Sequence, residues 1–231
     1  MGMTPQRHRL NEGLWQPLER PFLQWLAPRL PARASPDNLT ATGLVGAMVA
    51  FSGYALSRWH PGFLWLATAG LIVNWLGDSL DGTVARFRKI ERPRYGFFID
   101  HTTDLFSQVF LALGLGLSSY VRFEVACLAL IVYLLVAVYT FVRTNVLGTL
   151  QIAFGGIGPT EVRVGMIMLN MWLFLAEPRP IVVWWAPLSA VDMVILGSAA
   201  LVFLFLVISI RRDAQRLAVE DPPRTGDDLS R

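Results

Sequence analysis

Polar residues along this chain gather at the ends of long apolar runs, and the runs recur at the length of a bilayer crossing. Six stand out, at about 38–57, 63–87, 98–118, 123–147, 160–175 and 191–210. A helix needs roughly 17–25 predominantly apolar residues to span the hydrocarbon core, so each run predicts one membrane helix. Ahead of them, between about 11 and 30, Leu14, Trp15, Leu18, Phe22, Leu23, Trp25 and Leu26 alternate with Glu19, Arg20 and Arg29. That stripe predicts an amphipathic helix lying in the membrane plane, interrupted by Pro17 and Pro21. The expected fold is therefore all-α: a polytopic membrane protein with six transmembrane helices and an N-terminal amphipathic interfacial helix. Residues 1–37 form the N-terminal segment, 38–212 one membrane domain, and 213–231 a Pro-, Asp- and Arg-rich tail expected to be disordered, like the basic start at 1–9.

Charge orients this bundle. Arg88, Lys89, Arg92 and Arg94 crowd one short loop against the single acid Glu91, and Arg211, Arg212 and Arg216 follow the last run. The opposite loops carry only Arg58, Arg122 and Arg179. The positive-inside rule then places the 88–94 loop and both termini in the cytoplasm, with a bacterial inner membrane as the expected location. Composition agrees: of 231 residues 54% are hydrophobic and 16% charged, with a mean hydropathy of +0.46, which excludes an ordinary soluble domain. The net charge of +3 suits anionic headgroups, and no nucleic-acid motif is present. A single cysteine, Cys127, excludes a disulfide framework or a cysteine-based zinc site within the chain.

Four carboxylates break the apolar pattern where it should least tolerate them. Asp78 and Asp81 close the second run, and Asp100 and Asp104 open the third. At about 100° per residue, each pair shares a helix face one turn deep. Helices antiparallel across the short basic loop would bring the pairs together. Converging anions beside lipid need a counter-charge, and a set of hard oxygen ligands suits two Mg²⁺ or Mn²⁺ ions able to clamp a phosphoryl group. Gly82, Ala85 and Arg86 beside them keep one face small and cationic, as close approach of a bulky anion requires. Intramembrane acids also mark ion-coupled transporters. Pairing of helix-end acids with the basic loop is the plainest alternative, but it explains neither the glycines nor the spacing.

The pattern Asp78-x2-Asp81-Gly82-x2-Ala85-Arg86, then Gly96-x3-Asp100-x3-Asp104, resembles the signature of the CDP-alcohol phosphotransferase (CDP-alcohol phosphatidyltransferase) family. The resemblance implies metal ligands at Asp78, Asp81, Asp100 and Asp104. It implies a nucleotide pocket shaped by Gly82, Ala85, Arg86 and Gly96, and a homodimer. Ser35-Pro36-Asp37-Asn38-Leu39-Thr40 resembles the family's entry to its first membrane helix, where Asn38 either contacts the nucleotide or caps the helix.

Within that family, Asp100-His101-Thr102-Thr103-Asp104 resembles the choline and ethanolamine phosphotransferases. So do Thr144–Leu150 and the stretch Gly158-Pro159-Thr160-Glu161-Val162-Arg163, more weakly. The function this implies is transfer of a phosphoalcohol from CDP-ethanolamine or CDP-choline to a lipid hydroxyl such as diacylglycerol, releasing CMP. Either His101 or Asp104 would take the hydroxyl proton. Arg163 departs from that branch. With Arg143, and Glu161 nearby, it could instead bind an anionic headgroup such as an inositol phosphate or glycerol phosphate, in an enzyme that uses CDP-diacylglycerol. Alternatively, Arg163 pairs with Glu161 or with the metal-site acids.

Overall fold

The computed structural model describes residues 15–147, 158–176, 181–183 and 186–222. They form seven helices, α1 (Gln16–Leu26), α2 (Pro36–Leu56), α3 (Phe63–Phe87), α4 (Pro93–Leu117), α5 (Phe123–Leu147), α6 (Pro159–Ala176) and α7 (Ala190–Glu220). A short antiparallel hairpin of β1 (Ile181–Val183) and β2 (Ala186–Leu188) links α6 to α7. Among the described residues, α2, α3, α5 and α7 are long and apolar enough to cross a membrane. The protein is an all-α, polytopic membrane protein. Expectations for 1–9, Gly148–Leu150, Arg179 and the end of the tail lie outside the described residues.

Helix ends follow local chemistry more closely than the apolar runs suggest. The cap of α2 is Ser35, whose Oγ accepts from the Asn38 backbone N–H at 3.2 Å, with Pro36 in the first turn. The helix α4 begins at Pro93, five residues before the apolar run, because proline's fixed φ suits a first helical position. The other correction is at the C-terminus. Residues 213–220, expected in a disordered tail, continue α7. Arg216 pairs with Glu220 at 2.7 Å, one turn on, and Asp213 accepts hydrogen bonds from Tyr139 and Arg143 of α5.

Small residues bring α2 and α3 into contact. A Cβ added at Gly46 would stand 2.8 Å from the Gly70 carbonyl oxygen and 2.9 Å from the Asn74 Cα, and Gly43, Gly53 and Gly77 are similarly closed in. Close backbone approach of this kind is how membrane helices pack without a hydrophobic driving force. The helix α4 lies along α2 too, and Gly114 leaves room for the backbone of Phe51. Away from this seam, Tyr54, Leu64, Leu71, Leu111 and Leu173 are buried together. Large apolar residues on α5 and α7, including Ile131, Val138, Val142, Val194 and Leu201, are exposed. In a bilayer those faces meet lipid.

The N-terminal segment is tied to the bundle by polar contacts. From α1, Glu19 accepts hydrogen bonds from Trp75 (3.0 Å) and Ser79 (2.7 Å) of α3 and from Thr160 (3.1 Å) of α6. In the other direction, Glu161 of α6 accepts from the backbone N–H groups of Trp15 at 3.0 Å and Gly158 at 2.8 Å. Two of the loop cations are also engaged. Arg88 donates to the carbonyls of Leu30, Pro31, Ala32 and Ala34 at 2.8–3.4 Å, and Arg92 pairs with Asp37 while lying 4.1 Å over the Tyr95 ring.

Candidate metal centre

The last turns of α3 and the first turns of α4 bring Asp78, Asp100 and Asp104 together, one carboxylate oxygen of each lying within 4.8 Å of the others. All three are half-buried. They border a small, partly open cleft, lined also by Thr40, Gly43 and Leu44 of α2, Asn74 of α3, and Thr103 and Ser107 of α4. The contribution of α2 was not foreseen. It packs against both acid-bearing helices and forms one wall of the cleft.

The fourth acid stands beside the cluster. The Asp81 Oδ2 accepts from the Thr40 hydroxyl at 2.6 Å, and Oδ1 takes the backbone N–H of Gly82. On α3, Asp81 lies three positions after Asp78, and its side chain meets Thr40 of α2. Thr40 showed in the sequence only as a helix-start residue; its bond to Asp81 is a contact across 41 positions.

Arg163 supplies the counter-charge that the sequence left open. Only 2% exposed, it donates from Nη1 to Asp78 Oδ2 at 2.7 Å and from Nε to Asn74 Oδ1 at 2.8 Å, with Nη2 at 3.8 Å from Asp104 Oδ1. Of the readings open for this arginine, pairing with the cluster acids is the one the structure contains. Arg143 instead donates to Asp213 at 2.7 Å, and Glu161 caps the start of α6.

The remaining candidates are not among the residues that line the cleft. The His101 ring stacks on Phe97 at 4.1 Å and lies 5.8 Å from Phe141, with Nδ1 buried and 3.3 Å from Asp100 Oδ2. Asn38 turns to the connector and donates to the Arg33 carbonyl at 3.0 Å. Arg86 folds back along α3, so that a Cβ on Gly82 would meet its Nη1 at 3.2 Å. Ala85 is half-buried one residue before it, and Gly96 leaves open space where a side chain would stand. As a ligand set, three clustered carboxylates are hard oxygen donors of the type Mg²⁺ and Mn²⁺ prefer, so the residues present fit such an ion.

Fold and site together define an integral membrane protein organised round an acidic cluster that could hold metal. The chain belongs to the CDP-alcohol phosphatidyltransferase family, whose sequence model matches residues 33–206. It is accordingly a transferase of phospholipid synthesis, which sets the transporter reading aside. Over 142 residues it is 32% identical to the archaetidylinositol phosphate synthase of Methanothermobacter thermautotrophicus, an alignment covering 60% of this chain and 68% of that relative. This similarity is not to the choline and ethanolamine branch that the Asp-His-x-x-Asp motif suggested.

Proposed function

We propose that the protein is a CDP-lipid-dependent phosphatidyltransferase whose acceptor is a phosphorylated polyol of the inositol phosphate or glycerol phosphate type. The observation that carries this is the 32% identity over 142 residues to an archaetidylinositol phosphate synthase, in a chain whose carboxylate motif lies within the family match at 33–206. It replaces the CDP-choline and CDP-ethanolamine reading. That reading rested on short matches, and one of its two weaker stretches contains Arg163, which here faces the acids.

In the proposed reaction the acceptor hydroxyl attacks the lipid-side phosphorus of the CDP-lipid. The new P–O bond forms as the pyrophosphate P–O bond breaks, CMP departs, and a carboxylate oxygen of Asp104 receives the hydroxyl proton. Asp78, Asp100 and Asp104, with Asp81 beside them, would hold Mg²⁺ or Mn²⁺, which when bound neutralises pyrophosphate charge. Gly82, Ala85, Arg86 and Gly96 shape the nucleotide end. His101, stacked on Phe97 and close to Phe141, packs beside Asp100 and is not assigned the role of base. Arg143 of α5 is the cation offered to an anionic acceptor, while Arg163 of α6 stays paired with the acid cluster.

In this reading α4 and α6 also cross the bilayer, giving six spans. At 25 and 18 residues they reach about 37 and 27 Å, with Asp100, Thr103, Asp104 and Ser107 of α4 lining the cleft and Asn170 of α6 bonded to Thr68 of α3. The active site and both ends of the chain lie on the cytoplasmic side. A homodimer, which the resemblance implies, is the proposed assembly. An archaeal relative gives no reason to restrict the membrane to a bacterial one.

The test is CMP release from purified protein given either CDP-diacylglycerol with inositol phosphate or glycerol phosphate, or CDP-choline or CDP-ethanolamine with diacylglycerol. Turnover is expected with the first set alone, and Asp100→Asn should abolish it, lowering the rate by about a thousandfold or more. Turnover with CDP-choline or CDP-ethanolamine instead would overturn the assignment.

A further inference from the structure

Arg163 is a cation placed inside the group of acids that the proposed function assigns to metal. Its guanidinium is clamped from behind: Nε donates to Asn74, and Asn74 in turn donates to the Gly43 carbonyl at 2.9 Å and the Ser107 hydroxyl at 3.3 Å. Asn74 is 1% exposed, so this anchor is fixed by the tightest part of the α2–α3 seam. From it the fork points at the cluster. Nη1 is bonded to Asp78, whereas Nη2 is buried, makes no hydrogen bond among the described residues, and stops 3.8 Å from Asp104. A buried guanidinium nitrogen without a full partner is costly, which marks this arrangement as one poised between two states.

We infer that Arg163 is a built-in counter-cation that holds the acid cluster when no metal is bound and, by competition, sets how tightly a divalent ion binds there. The inference rests on the metal reading of Asp78, Asp100 and Asp104. The clustered carboxylates outnumber the one guanidinium among them, so a divalent ion can supply positive charge that Arg163 alone does not. Removing the guanidinium takes away a positive charge a few ångströms from an arriving cation and frees the Asp78 oxygen that Nη1 occupies. Both effects favour metal. A purely structural arginine would act in another way: its loss would lower stability equally with and without metal and leave metal affinity where it was.

The experiment measures Mn²⁺ binding, as free Mn²⁺ by electron paramagnetic resonance, to the full-length protein purified in detergent. Thermal unfolding is followed with and without Mn²⁺. Arg163→Met is expected to bind Mn²⁺ about tenfold or more tightly than the unmodified protein. It should melt lower without metal and recover most of the loss at saturating Mn²⁺. Arg163→Lys, which keeps a charge at this position, is expected to stay within about threefold of the unmodified protein. Asp78→Asn, which removes a cluster ligand, should lose affinity and so locate the measured ion. Should the Met variant fold only with metal, it is purified in Mn²⁺ and its rate of loss to a chelator compared; slower loss supports the inference. Equal or weaker Mn²⁺ binding by Arg163→Met overturns it while leaving the metal site intact. Failure of the unmodified protein and all variants to bind Mn²⁺ removes the metal reading, and this inference with it.

Discussion

Thr40 shows how much of the site depends on single groups outside the motif. Its hydroxyl donates to Asp81 at 2.6 Å while also facing the Pro36 carbonyl, so it fixes both the start of α2 and the direction of the fourth acid. Replacing Thr40 by Val leaves a buried carboxylate short of a partner. We expect a loss of about 1–3 kcal/mol in thermal stability together with slower CMP release, and Thr40→Ser should restore both. Retention of full activity by the Val variant would show that Asp81 does not need this orientation. At this scale the acids themselves were legible, because spacings of three and four residues fix which side chains share a helix face. Their division into a cluster of three and a neighbour was not. It depends on Thr40 and Arg163, which lie 41 and 85 positions from the acids they meet. Asn74 was legible with them: it precedes Asp78 by four residues and so shares its face.

Among the elements, α1 is the one whose role changed most between sequence and structure. Its stripe of apolar residues marks a helix for the membrane surface, and Leu18, Phe22 and Trp25 are indeed exposed. Yet its acid Glu19 bonds to α3 and α6 at positions next to Asp78 and near Arg163. The surface helix is thereby tied to the two elements that present the counter-charge and its partner. Glu19→Ala removes three hydrogen bonds at once, and an unfolding shift of roughly 2–4 kcal/mol is expected. CMP release should fall with it, whereas Glu19→Gln, which keeps an acceptor oxygen, should recover part of the loss. An Ala variant as stable and as active as the unmodified protein would mean that α1 merely rests on the membrane. Periodicity identified α2 as a helix but could not show that it forms a wall of the cleft. An almost uniformly apolar helix rich in glycine carries no sign of which neighbours it will join.

For the whole molecule, the number of crossings is the question that bears most on mechanism. Six spans put residues 90 and 217 on one side of the membrane and residue 120 on the other. In a background with Cys127→Ala, a membrane-impermeant thiol reagent added to sealed inverted vesicles should label Ile90→Cys and Leu217→Cys but not Tyr120→Cys. Labelling of position 120 from the same side would refute the six-span arrangement. The positive-inside pattern was readable because arginines in short loops respond to the potential and lipid charge at one surface. The end of the membrane domain was harder to read, since the α7 sequence turns polar without turning to coil. That continuation has a mechanical consequence. A helix of 31 residues extends about 46 Å, some 15 Å beyond the hydrocarbon core. Its final turns stand as a rigid post above the headgroups, braced at Asp213 by Tyr139 and Arg143. A sideways load on that post would reach Arg143 of α5 before it reached the acid cluster.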